Sequence, residues 1–140
     1  MNVLIDTNVL SEARRLEPNR GIIEWLDSLD EDRAFISVIS LAEIRRGVAL
    51  MDKGRRRDAL AEWLTHDLVE RFAGRILAID DRVAIAWGDL MAEAKRRGIG
   101  LASMDGLLAA TAVVHDLTLV TRNVRDFQDF ELKLFDPWTR

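Results

Sequence analysis

The chain has 140 residues, of which 49% are hydrophobic and 31% charged, and a net charge of −4. That length suits one domain with a sizeable core, and no linker-like stretch divides it, so a single domain over 1–140 is expected. The absence of cysteine excludes a disulfide framework and a thiolate zinc site, and it makes the cytoplasm the expected setting. With no cleavable apolar leader and no long apolar run, neither secretion nor membrane spanning is expected.

Val3-Leu4-Ile5 is a short apolar run that ends on Asp6, and a helical pattern opens just after it. The first strand therefore carries a carboxylate at its C-terminal tip, the edge at which open α/β sheets hold ligands. After Pro18-Asn19, the spacing of Ile22, Leu26 and Leu29 beside Trp25 predicts a helix, and Ala34-Phe35-Ile36-Ser37-Val38 predicts a strand. Leu41, Ile44, Val48 and Met51 repeat at helical spacing. Gly54 interrupts, and Leu60, Trp63, Leu64 and Leu68 predict a further helix before a strand at Ile76-Leu77-Ala78-Ile79. Asp81 to Arg97 places Val83, Trp87, Leu90 and Ala94 on one face and stops at Gly98, and Leu107, Ala110, Thr111 and Val114 mark the next helix. Leu117-Thr118-Leu119-Val120 reads as a buried strand, and Leu132-Lys133-Leu134-Phe135 as the last one. Strands alternating with helices give an α/β fold, a three-layer sandwich with a central, mostly parallel five-stranded sheet.

The acidic residues carry the chemistry, and each has a plain structural alternative. Asp6 can cap the helix that follows it, and Ser40-Leu41-Ala42-Glu43 spells a capping box in which Glu43 reaches back to a backbone N–H. Asp105 precedes the apolar pattern of Leu107 to Val114 at another capping position, and Asp126 can be a turn residue. Their joint placement says more. Asp6, Glu43, Asn123 and Asp126 all follow strands at one edge of a parallel sheet, and Asp105 can reach that edge if the first strand neighbours the one ending at Val120. Clustered carboxylates repel unless a divalent cation offsets them, and an all-oxygen pocket suits Mg²⁺ or Mn²⁺.

Four ordered segments carry a resemblance: Met1 to Leu10, Ile39 to Gly47, Met104 to Ala112 and Val120 to Phe127. They are similar to the motifs of PIN-domain proteins, in particular the VapC-type toxins of bacterial toxin–antitoxin pairs and their FitB-like relatives. The resemblance implies a metal-dependent endoribonuclease whose acidic triad corresponds to Asp6, Glu43 and Asp105. Where some relatives carry a fourth acid directly after Thr-Arg this chain has Asn123, so Asp126 or the Asn123 amide takes that corner. The resemblance also implies a small antitoxin partner with a DNA-binding domain, and a homodimer.

On this reading Mg²⁺ held by Asp6 and Asp105 would activate a water against an RNA phosphodiester, with Glu43 and the Asn123/Asp126 corner ordering waters. Thr7, Asn8, Ser40 and Thr121 flank the acids and either orient a carboxylate or cap helices. His66 and His115 lie in helical patterns and are assigned to surface or packing. Arg45, Arg46, Lys53, Arg55 to Arg57, Arg122 and Arg125 are candidate phosphate contacts, although the run Arg55 to Arg57 suits a solvated face better and Lys95-Arg96-Arg97 a helix C-terminus. Trp25, Trp63 and Trp87 at helical spacings are assigned to the core or a dimer contact.

Three other functions compete. A dehalogenase-type phosphatase wants a second Asp where Asn8 stands, and a receiver domain wants an acidic pair at the first strand, whereas Asp80-Asp81 follows a later one. The alternative that remains is a noncatalytic PIN-fold module working with a DNA-binding partner in transcriptional control.

Overall fold

Strands β1 (Val3–Ile5), β2 (Ala34–Ser37), β3 (Ile76–Leu77), β4 (Thr118–Val120) and β5 (Leu134–Phe135) pair in the order β3-β2-β1-β4-β5. The computed structural model describes residues 1–139. Every neighbouring pair is parallel, and β1 sits between β2 and β4 with Val3 opposite Thr118 and Ile5 opposite Val120. The chain moves outward from β1 through β2 to β3 and then crosses back to β4 and β5. Its connections diverge at β1 and β4, which opens a crevice at the C-terminal ends of those two strands.

Helices α1 (Thr7–Leu10), α2 (Arg20–Ser28), α3 (Val38–Leu50), α4 (Arg55–Glu62), α5 (Val69–Arg71), α6 (Asp81–Arg96), α7 (Ser103–Val114) and α8 (Val124–Phe127) complete the fold. Side chains alternate across a strand, so Val3 and Ile5 face one layer and Leu4 the other. Val3, Ile5, Ile36 and Val120 pack with Ile22, Leu26, Leu64, Leu68 and Phe72. On the opposite face Leu4 and Leu119 pack with Leu108, Ala109, Ala112 and Phe127. Leu4, Ile5, Leu108, Leu119 and Phe127 are fully buried, each contributing about 1.5–3 kcal/mol of transfer free energy, so the inner strands are the rigid base for the crevice.

Several element boundaries differ from the sequence expectation. β2 ends at Ser37, whose Oγ accepts from the Ile39 N–H at 3.0 Å and starts α3 there. The Ser40–Glu43 capping box is therefore not a helix start, because both residues lie inside α3. The apolar residues on both sides of Ser37, Ile36 before it and Val38-Ile39 after it, hid the boundary. α7 likewise opens at Ser103, which moves Asp105 from a capping position into the first turn.

The expected helix around Leu60 to Leu68 continues to Arg71, with a wide π turn over Trp63–Leu68. A spacing of four residues drifts around a regular helix of 3.6 residues per turn, and the wider turn offsets that drift, keeping Leu64 and Leu68 both buried. β3 and β5 are shorter than expected. As edge strands they pair on one side only, while Ile79 and Leu132 pack on the sheet without extending the ladder.

Candidate active site

Asp6 follows β1 and does two things at once. Its Oδ1 accepts from the Thr7 N–H at 2.6 Å, capping α1, while Oδ2 accepts from Thr121 Oγ1 at 2.8 Å and from Asn8 Nδ2 at 3.4 Å. The capping and pocket readings are thus compatible. Asp6 is only 5% exposed. Burial is the main reason its pKa stands at about 6 rather than 3.8; the Thr121 and Thr7 bonds pull it down, and the charges of Glu43 and Asp105 push it up.

Glu43 reaches the same place from the second turn of α3. Thr7 Oγ1 donates to Glu43 Oε1 at 2.7 Å and lies 2.9 Å from the buried Ser40 Oγ. Neither Thr7 nor Ser40 caps a helix with its side chain; both brace Glu43. Asn8 turns the other way, donating to Asp6 and, at 3.3 Å, to Thr121 Oγ1, while its Oδ1 accepts from the Arg122 N–H at 3.2 Å. Consecutive residues of α1 thereby tie Asp6 to α3 on one side and to the end of β4 on the other.

Asp105 is half-buried in the first turn of α7. Burial first, then the charges of Asp126 and Glu43, raise its pKa above the ordinary value, which places all four acids within one electrostatic neighbourhood. Asp126 lies in the first turn of α8. Asn123 precedes that helix without a side-chain cap bond, and its backbone N–H donates to Thr121 Oγ1 at 3.1 Å. Among the described residues, no three acidic or histidine side chains stand close enough to grip one ion as they are.

Sequence reasoning missed the residues that set Asp105 in place. Trp87 Nε1 donates to Ser103 O at 3.2 Å, and Trp87 and Met91 of α6 close on Gly106, so α6 clamps the start of α7. A methyl group on Gly106 would lie 2.6 Å from Met91 Sδ and 3.0 Å from Trp87 Nε1. Met91 can swing aside, but Trp87 cannot without losing Ser103. Gly106→Ala is therefore expected to cost about 1–3 kcal/mol of overpacking, read as a lower urea midpoint. Only a tertiary contact creates this demand, so nothing in the local pattern announces it. Glu12 was also missed. It is 2% exposed, and its carboxylate accepts from the Asn19 N–H at 2.9 Å and pairs with Arg15, anchoring the loop before α2.

The remaining assignments sort by contact. Trp25 is core and stacks on Phe135, with ring centroids 5.6 Å apart. Arg97 donates to Asp129 O at 2.8 Å and pairs with Glu93, which gives the end of α6 a structural use. Arg56 donates to Arg14 O at 2.8 Å. His66 is exposed beside Glu62. No helix among the described residues is long and apolar enough to cross a membrane.

Residues 3–132 match the PIN domain. The chain is 41% identical to Toxin FitB of Neisseria gonorrhoeae, over 97% of this chain and 98% of that protein. It is 36% identical to the VapC ribonuclease Y4jK of Sinorhizobium fredii, over 97% of each. A chain in the structure of FitAB bound to the IR36 DNA fragment superposes with a TM-score of 0.91 at 40% identity, covering 97% of this chain and 95% of that one. The chain belongs to the PIN-domain family.

Proposed function

We propose that this protein is a metal-dependent endoribonuclease acting as the toxin of a toxin–antitoxin pair. The observation that carries the reading is the gathering of Asp6, Glu43, Asp105 and Asp126 at the crevice beside β1 and β4, with Asp6 buried and its pKa raised by its surroundings. The similarity to a named toxin and a named ribonuclease over nearly the whole chain supports it. A relative solved as FitAB on DNA supports a DNA-binding antitoxin as partner.

The donor set fits Mg²⁺ or Mn²⁺. It is all oxygen, and the burial and mutual repulsion that raise the Asp6 and Asp105 pKa values are what a divalent charge relieves. Asp6 and Asp105 would hold the ion, with Glu43 and Asp126 as the remaining acids of the same neighbourhood. When bound, the ion supplies Lewis acidity, offsetting phosphodiester charge and lowering the pKa of a water. The chain's own groups do the rest. Thr121 and the Thr7 N–H keep the Asp6 carboxylate from rotating, and Thr7 holds one oxygen of Glu43 so that the other can orient a water.

The purified chain is expected to cleave single-stranded RNA with Mg²⁺ or Mn²⁺ and to leave it intact in EDTA; cleavage without a divalent ion would sink the mechanism. Expression alone is expected to slow growth, and co-expression of the adjacent small reading frame to relieve it. The same reading includes a homodimer, supported by exposed Ile85 and Val113 on the packed helices α6 and α7, and sedimentation measures it.

A further inference from the structure

Arginines stack on aromatic rings at several points of this fold, and most are also tied elsewhere. Arg71 lies over Phe72 and pairs with Glu31; Arg75 lies over the same ring and donates to Ala34 O; Arg97 lies over Phe130 and pairs with Glu93. Two differ. Arg14 lies 5.6 Å over Trp63, and Arg122 lies 4.9 Å over Trp138. Both are exposed, and among the described residues neither guanidinium has an ion pair or a side-chain hydrogen bond.

Arg14 lines a groove with Thr7, Glu43 and Trp63, on the α3 side of Asp6. Arg122 follows Thr121, and its backbone is fixed to Asn8, on the β4 side. The two residues thus stand on opposite sides of Asp6, each with its guanidinium held over a tryptophan. Stacking on tryptophan consumes none of the five N–H donors of a guanidinium, and it reduces the side-chain freedom to be lost on binding an anion. An acidic pocket that takes a polyanion needs positive contacts on either side of the reacting group.

Resting on the ribonuclease reading above, we infer that Arg14 and Arg122 are a pair of phosphate clamps. They hold single-stranded RNA across the crevice by phosphates on either side of the scissile one, each fork pre-oriented by its tryptophan. The contacts are to the backbone, so they set affinity and position rather than base preference.

The test is steady-state cleavage of a fluorescent single-stranded RNA in Mg²⁺ across a salt series, with folding checked by circular dichroism. Arg14→Ala and Arg122→Ala are each expected to raise KM roughly tenfold, with a much smaller fall in kcat. Each should also flatten the dependence of log KM on log salt by about 0.7. Arg122→Lys and Trp138→Leu, which keep the net charge but lose the fork or the stack, are expected to raise KM about threefold. Arg33→Ala, whose arginine pairs with Asp30, is expected to match wild type. Wild-type KM and salt slope in both alanine variants would overturn the clamps while leaving the nuclease in place. Weakened binding of the co-expressed antitoxin with those two values unchanged would likewise overturn them, assigning the arginines to that protein. A wild-type chain that cleaves no RNA would overturn the clamps together with the reading beneath them.

Discussion

Asp105→Ala is expected to abolish growth arrest and lower RNA cleavage by roughly a thousandfold or more, equivalent to about 4 kcal/mol of transition-state stabilisation, while the protein stays folded. Asp105 is half-buried, makes no capping bond, and stands in a helix turn already held by Trp87 and Met91. Removing its charge near the start of α7 sacrifices about 0.3–1 kcal/mol of favourable helix-dipole interaction. Relief of repulsion from Asp126 and Glu43 offsets that loss, so the change in metal-free stability stays small. Cleavage and stability should therefore separate cleanly, and antitoxin binding should persist. Toxicity that survives this substitution would favour the noncatalytic module acting through a DNA-binding partner.

In EDTA, stability is expected to fall as pH rises from about 4 to about 7. Burial leaves the folded-state Asp6 pKa at about 6 against 3.8, so in that window the folded protein holds a proton that the unfolded chain has released. The stability is fully present at the acid end and lost as pH passes the folded value, by about 3 kcal/mol for this group alone. Asp105 is shifted in the same direction and adds to the slope. Saturating Mg²⁺ or Mn²⁺ at pH 7.5 should recover the loss by binding the folded state preferentially, raising Tm. Asp6→Asn removes the charge and should flatten both the pH profile and the metal response. Urea midpoints that do not change between pH 4 and 7 in wild type would show that Asp6 is not under this electrostatic load.

The sheet edge and its acids were legible because strand polarity alone sends Asp6, Glu43 and Asp126 to one side. The neighbour relation of β1 and β4 then brings in Asp105. What hid was whatever depends on contacts between elements. Thr7 and Ser40 resemble helix caps in sequence, yet they brace Glu43, because α3 is capped by Ser37 and begins at Val38, which carries both Ser40 and Glu43 into the helix. Trp63 resembles ordinary core at helical spacing, and only the folded chain lays Arg14 across it. The Ser103 start of α7 was obscured because Ser103-Met104 lacks the apolar repeat on which helix recognition rests.

The central position of β1 has a consequence for synthesis in the cell. Its pairing with β4 joins residues 3–5 to residues 118–120, so the strand made first keeps one edge open until most of the chain has left the ribosome. A product interrupted before β4 already carries Asp6, Glu43 and Asp105. It lacks Thr121, which orients Asp6, and the strand that closes the crevice. Broken or stalled translation products should therefore be inert, and destructive capacity should arrive late and all at once. On the toxin–antitoxin reading proposed above, a small antitoxin would have the time taken to make the chain as far as β4 in which to be ready.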